Sequence, residues 1–432
     1  MLRISTSLSG LSRIPVGPIR TGSAYGAVGK GFRSVASGLP PVAPPRKSED
    51  VSYRIGFAGN GGGAALLMMR VAQKLNDSLL DLSASHRVRF SFHHLDNSAN
   101  LYGALQTKTL QSLTKGLLRH LGKQKACDVI VLGNASSVAF DRSMRQWATD
   151  TLPGKQVVTL VNPTADRFYS KAQFMSVEGR LEKRIGILGT PPTIASHQYP
   201  AALAKHHAKE WGDLGGQSVT VVVNTDDRFP GPKVYLGGLP IVLGSVNEQE
   251  ILKSLANQES LTPVLYVHIY SPKNWDVLVE NREEGHSTPT DRKDAIRANI
   301  EEFLSQSSRV EIERMSVMGL VCTEYPLLKS EIIDILRDMK LEGIKVMGQT
   351  SIAESMILPI VRQDVTFRIE ERDVPLSLND VQIRMSSCTT VRSGSVGPNR
   401  FLITQELCAE LNPHMAKQIR FSTIRPIPTV KK

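Results

Sequence analysis

The chain reads as an α/β protein of two similar lobes. Each lobe has a parallel sheet flanked by helices, a cleft lies between them, and a C-terminal extension follows. Two observations carry this reading. From Tyr53 onward, short β-rich runs alternate with helical stretches, the pattern of parallel sheets with helices on both faces. The chain also resembles itself. Ile55-Gly56-Phe57-Ala58-Gly59-Asn60 matches Ile185-Gly186-Ile187-Leu188-Gly189-Thr190, and Val129–Asn134 answers Val317–Thr323. Each of these is an apolar run that ends in a small-residue turn.

In order, Tyr53–Ala58 is expected as a strand and Ala64–Leu75 as an apolar-faced helix. Val88–His93 follows as a strand, Leu105–Leu121 as a helix, and Val129–Leu132 and Val157–Val161 as strands. Arg184–Leu188 opens a second series. It continues through strands at Val219–Val223 and Val264–Tyr270, a helix at Lys293–Ser305 and a strand at Val317–Val321. A helix at Ser330–Met339, a strand at Lys345–Met347 and a helix at Ser351–Val361 close it. Strand-like runs at Val365–Ile369, Val381–Met385 and Arg400–Thr404 lie in the tail, whose end is basic (Arg420, Arg425, Lys431, Lys432).

The resulting division is 1–48, a leader and Pro-rich linker; 52–180, the first lobe, closed by 343–362; 181–342, the second lobe, with an insertion at about 226–308; and 363–432, the extension. Residues 1–48 hold seven basic side chains (Arg3, Arg13, Arg20, Lys30, Arg33, Arg46, Lys47) and no acid. That composition predicts a transit peptide and a mitochondrial matrix address, with Arg33-Ser34-Val35-Ala36 as a processing neighbourhood. Pro40, Pro41, Pro44 and Pro45 make a stiff linker. Without the leader, 45 basic and 41 acidic residues leave a net charge of +4, so the total of +11 is no nucleic-acid footprint.

No apolar run is long enough to span a bilayer. Cys127, Cys322, Cys388 and Cys408 form no CxxC pair, which argues against a zinc site or a disulfide framework. The adjacent pairs His93-His94 and His206-His207 point apart on any regular element, so neither is expected to bind metal. Gly59-Asn60-Gly61-Gly62-Gly63-Ala64 fits GxGxxA between a strand and a helix, with Asp96 as the candidate acid. This motif opens an alternative, an NAD- or FAD-binding oxidoreductase; its structural counterpart is a turn needed only for tight packing.

In VMGLVCTEYPLL (Val317–Leu328) an apolar strand stops at Cys322-Thr323-Glu324 and an apolar amphipathic segment follows. Open α/β sheets bind ligands at such strand ends. A helix N-terminus nearby would favour a thiolate at Cys322; the plainer reading of Cys322 is a buried small hydrophobe.

Four segments together resemble the aspartate/glutamate racemase superfamily. They are the strand and glycine loop IGFAGNGGGA (Ile55–Ala64), LGNASS (Leu132–Ser137) in the place of the first cysteine loop, IGILGTPPT (Ile185–Thr193), and VCTEYPLL (Val321–Leu328) as the second cysteine loop. GQTSIAE (Gly348–Glu354) looks like the closing segment. The likeness covers about Tyr53–Val361. It implies a cofactor-free enzyme acting on a small carboxylate or amino acid, with two acid/base groups on opposite faces of one carbon. By position in that family, Asn60, Asn134, Ala135, Ser136, Thr190, Thr193, Thr323 and Glu324 would line the substrate cleft, and Cys322 would be catalytic.

Two positions depart from the family pattern. Gly133 stands where the first cysteine belongs, and Gly59 where glutamate racemases carry an Asp. Glycine cannot carry a proton, and the amide of Asn60 does not titrate. Efficient two-base racemisation is therefore not expected. A one-cysteine decarboxylase or isomerase remains, since the arylmalonate decarboxylase branch resembles this arrangement. So does a non-catalytic subunit of a mitochondrial assembly, for which the leader, the insertion and the tail would supply contact surface.

Overall fold

The computed structural model describes residues 51–59, 62–79, 88–96, 106–177, 179–213, 218–223, 229, 234–241, 263–273, 275, 289–305, 307–349, 352, 355–361, 363–364, 378–388 and 419–424. The chain divides into two units, 1–47 and 48–432. The first, with the expected leader, lies outside the described residues, as do Asn60, the tail runs 365–369 and 400–404, and most of the expected insertion.

The strands are β1 (Val51–Gly59), β2 (Val88–Asp96), β3 (Val129–Leu132), β4 (Gln156–Val158), β5 (Phe174–Val177), β6 (Arg180–Leu188), β7 (Val219–Val223), β8 (Val234–Leu236), β9 (Leu239–Ile241), β10 (Val264–Tyr270), β11 (Met315–Leu320), β12 (Lys345–Gly348), β13 (Leu378–Cys388) and β14 (Ile419–Ile424). The helices are α1 (Gly62–Leu79), α2 (Thr107–Arg119), α3 (Asn134–Ala139), α4 (Arg142–Thr151), α5 (Val161–Lys171), α6 (Pro191–Ala195), α7 (Gln198–Gly212), α8 (Pro289–Ser305), α9 (Arg309–Glu313) and α10 (Lys329–Asp338).

They form two sheets. The first runs β14-β13-β2-β1-β3-β4, parallel throughout. The second runs β12-β11-β6-β10-β7-β8-β9; it is parallel from β12 to β7, and β5 pairs antiparallel with β6. The two strands that looked alike in sequence, β1 and β6, hold equivalent central places. β1 lies between β2 and β3, and β6 lies between β10 and β11.

Sequence explains most of this locally. β3 is VIVL, buried along its whole length, as a strand covered by helices on both faces must be. On α1, Ala65, Met68, Met69, Ala72 and Leu75 recur at three- and four-residue steps and pack with Tyr53, Ile55, Phe57, Phe90 and Phe92. Leu110, Leu113, Leu117 and Leu121 repeat the device on the other side of that sheet, against Ile130 and Leu132. Asp141 caps α4 by accepting from the Met144 amide.

Three expectations change. The run Val157–Val161 is not one strand: β4 ends at Val158 and α5 starts at Val161, where Pro163 in the first turn suits a helix start. Residues 343–362 do not serve one lobe alone, because β12 joins the second sheet while Ile357 and Val361 enter the first core. In the tail, β13 lays itself parallel beside β2, pairing Ser387 with Asp96, and β14 adds a further strand. This part of the tail extends the first sheet of its own chain.

Candidate functional site

The registers bring five strand ends together, two in the first sheet and three in the second. Ala58 of β1 pairs with Leu132 of β3; in the second sheet Leu188 of β6 pairs with Leu320 of β11, which pairs with Gly348 of β12. The loops that follow (Gly133-Asn134, Gly189-Thr190, Val321-Cys322 and Gln349) therefore leave at the carboxyl ends of parallel strands, where α/β folds place ligands.

Asn134 joins these loops across the lobes. Its Nδ2 donates to Thr193 Oγ1 at 2.8 Å and to the Val321 carbonyl. Its Oδ1 accepts from the Tyr199 hydroxyl at 2.5 Å and from Gln349 Nε2 at 3.0 Å. Gln349 Nε2 also donates to the Tyr199 oxygen, and Thr190 and Thr193 share a hydroxyl contact of 3.0 Å. A further bridge runs from Gln198 Nε2 to the Val138 carbonyl. Asn134, Thr193, Tyr199 and Gln349 are all buried. Burial holds the Tyr199 phenol well above its ordinary range, so it stays a hydroxyl and donates.

Of the residues expected at the cleft, Asn134, Thr193, Thr190 and the Val321–Cys322 link come together in this network. Ser136 is buried nearby on α3, and its Oγ has no hydrogen-bond partner. Its neighbour Ser137 is structural, donating to the Leu132 carbonyl and accepting from the Leu160 amide. Ala135, Thr190, Thr323 and Glu324 are half-buried.

Cys322 is 8% exposed and borders a cluster containing Leu188, Tyr270, Trp275 and Tyr325. The rest of its motif is packing: Tyr325 sets its ring edge against Trp275, with centroids 5.1 Å apart, and Leu328 is fully buried. The expected helix start is corrected here. A 3₁₀ turn spans Tyr325–Leu328 and α10 begins at Lys329, so Cys322 precedes the helix by more than one turn. The dipole effect fades within the first turn and does not reach it.

The two glycines that break the family pattern have packing reasons. A Cβ on Gly133 would lie 3.2 Å from both the Ala58 carbonyl oxygen and the Gly59 Cα, so this position faces the end of β1. A Cβ on Gly59 would lie 2.5 Å from Ala64 Cβ, closer than side chains approach. Glycine at 59 is thus demanded by strand–helix packing, with no dinucleotide needed to explain it. Among the described residues no group of three or more His, Cys, Asp or Glu could hold a metal ion, and no helix is long and apolar enough to cross a membrane.

Tyr199 and Gln349 were not singled out by sequence reasoning. They lie 65 and 215 positions from Asn134, and no spacing ties them to it.

No protein-family model matches the chain, and no curated protein sequence matches it. Among solved structures it is similar to a glutamate racemase isoform from Bacillus anthracis, with 15% identity, 88% of this chain and 100% of that chain covered, and a TM-score of 0.49. It is also similar to a glutamate racemase from Francisella tularensis solved with D-glutamate, with 12% identity, 88% and 98% covered, and a TM-score of 0.48. An aspartate racemase homologue from Pyrococcus horikoshii is matched at 14% identity, with 71% and 98% covered and a TM-score of 0.34. The chemistry of the site rests on its own residues.

Proposed function

We propose that this chain is a racemase-like, cofactor-independent protein that binds a small carboxylate between its lobes and uses Cys322 as its single proton-transfer thiol. The observation that carries the reading is the pairing of loops at the seam. Asn134 reaches from the first lobe to the carbonyl of Val321, the residue before Cys322, while the first lobe offers only Gly133 at the family's other cysteine position.

One thiol suffices for a reaction that makes its own carbanion. A malonate-type acid loses carbon dioxide and the C–C bonding pair stays on carbon as an enolate. The Cys322 S–H then gives its proton to that carbon, and solvent reprotonates the thiolate. The backbone N–H groups of Asn134 and Ala135 and the hydroxyls of Ser136, Thr190 and Thr323 are the groups proposed to hold the carboxylate, with Thr193 and Glu324 as further lining of the cleft. Malonate-type acids incubated with the protein in D₂O should yield product carrying deuterium on carbon, at a rate lost in Cys322→Ala. Product deuteration that is absent, or unchanged by that substitution, counts against the reading.

A second reading is supported by the closed seam. Four polar side chains tie the lobes together with little exposure, as suits a non-catalytic subunit of a mitochondrial assembly. The acid-free leader supports the mitochondrial address for both readings. Native fractionation of mitochondria separates them: migration only as a small species speaks against the assembly.

A further inference from the structure

The hydrogens of the inter-lobe network can be placed one by one, starting from a single backbone carbonyl. The Val321 oxygen only accepts, so the Asn134 atom facing it is the amide nitrogen. The two Nδ2 hydrogens then go to Val321 and Thr193, and Thr193 shares a further hydroxyl contact with Thr190 in which either can donate. Asn134 Oδ1 is thereby an acceptor, and the groups facing it must donate. The Tyr199 hydroxyl gives it its only hydrogen, and Gln349 turns its nitrogen to it. The second Gln349 Nε2 hydrogen goes to the Tyr199 oxygen. Each hydrogen of the two amides is used, and neither amide can flip without setting like groups against each other.

This leaves Gln349 Oε1. Gln349 is 1% exposed, its Oε1 is buried, and it has no hydrogen-bond partner. It follows β12, next to the loop that carries Cys322. A buried amide oxygen without a donor is costly, and native proteins leave few of them. The other unpartnered polar atom of these loops, Ser136 Oγ, can donate as well as accept. Gln349 Oε1 can only accept.

We infer that Gln349 is a specificity-determining residue: its Oε1, held in place by Asn134 and Tyr199, accepts a hydrogen bond from an N–H or O–H group that the ligand carries beside its carboxylate. The inference rests on the proposed carboxylate site and deepens it. A ligand offering only acceptors leaves this oxygen unpaired and binds more weakly. A site built to hydrogen-bond a substrate group discriminates strongly against the analogue that lacks it.

The test uses the purified full chain, isothermal titration calorimetry, and two probes that differ by one ammonium group, glutamate (both enantiomers) and glutarate. Wild type should bind the preferred glutamate enantiomer at least about tenfold more tightly than glutarate. Gln349→Met removes the acceptor, and the ratio should fall to about one. Gln349→Glu keeps the acceptor, and its buried carboxyl, protonated toward Asn134 Oδ1, stands in for the amide donor, so the ratio should be kept. A ratio lost in Gln349→Met and kept in Gln349→Glu is not expected of a merely structural amide. Should Gln349→Met fail to show a cooperative melt, the wild-type ratio and Gln349→Glu still decide. Equal wild-type affinities, or two variants shifting the ratio the same way, overturn the inference while leaving the carboxylate site standing. Binding of neither probe by wild type overturns the site reading, and the inference with it.

Discussion

The two lobes place matching strands around matching loops, yet they end differently. In the first, β2, β1, β3 and β4 lie side by side; in the second, β10, β6, β11 and β12 take the corresponding places. The next place outward is filled by β13 in one sheet and by β7 in the other. One lobe thus recruits a strand from the far end of the chain for a place that the other fills internally. At the loops the lobes diverge in chemistry. After β3 the chain turns Gly133 onto the backbone of β1, whereas after β11 it carries a thiol. A repeated scaffold with a thiol at one loop and glycine at the other suits the proposed one-sided proton transfer, and the comparison can be broken or sharpened by experiment.

The largest effect is expected where the second lobe alone admits a foreign ring. β3 has no glycine, but β11 carries Gly319, where a Cβ would lie 2.1 Å from Phe168 Cε2 of α5. Gly319→Val should cost about 4 kcal/mol or more by chemical denaturation, because both partners are fixed in a packed core. A loss under about 1 kcal/mol would mean that α5 is not seated there.

Acid should come next. His207 and His268 of the second lobe are buried, and desolvation lowers both to about 4. Folded, they stay neutral while their unfolded counterparts bind protons, so stability is lost as pH falls from about 6.5 to about 4. Each contributes about 3 kcal/mol of this slope. Melts across that range should steepen accordingly, and His207→Gln should flatten them; an unchanged slope would remove His207 from the account.

Asn134→Leu keeps the volume but removes the inter-lobe network. The Val321 carbonyl, the Tyr199 hydroxyl and the Gln349 amide would lose partners, a loss of about 3 kcal/mol. The smallest change is Gly133→Cys, which gives the first lobe a thiol at the loop matching that of Cys322. Its Cβ at 3.2 Å from two backbone atoms forces a small shift, at about 1–2 kcal/mol. No racemisation of glutamate should appear, because the added side chain starts toward β1. Gain of interconversion at enzyme-like rates would show that the first lobe's face is open after all.

The parallel strands were legible because each is a short apolar run closed by a small-residue turn, and β3, β7 and β10 begin and end where the pattern says. The self-match of Ile55–Asn60 with Ile185–Thr190 foretold the equivalent places of β1 and β6. α5 was hidden because Val157–Val161 is apolar except for Thr159, and periodicity alone does not separate a strand end from a helix start. β14 (IRFSTI) carries no turn signal that marks it as the partner of β13. At the site, Asn134 and Thr193 were readable from their motifs. Tyr199 and Gln349 were not, because their role exists only once the loops of the two lobes are packed together. The reason for glycine at 59 and 133 was likewise invisible until their neighbours Ala64 and Ala58 were in place.

The most direct measurement of the central claim is a structure with a small carboxylate bound, obtained by soaking crystals in glutamate or a malonate-type acid. The account predicts the carboxylate between Asn134 and Thr323, within reach of the Cys322 sulfur. A seam that stays closed at high ligand concentration, or a carboxylate held away from both loops, would contradict it.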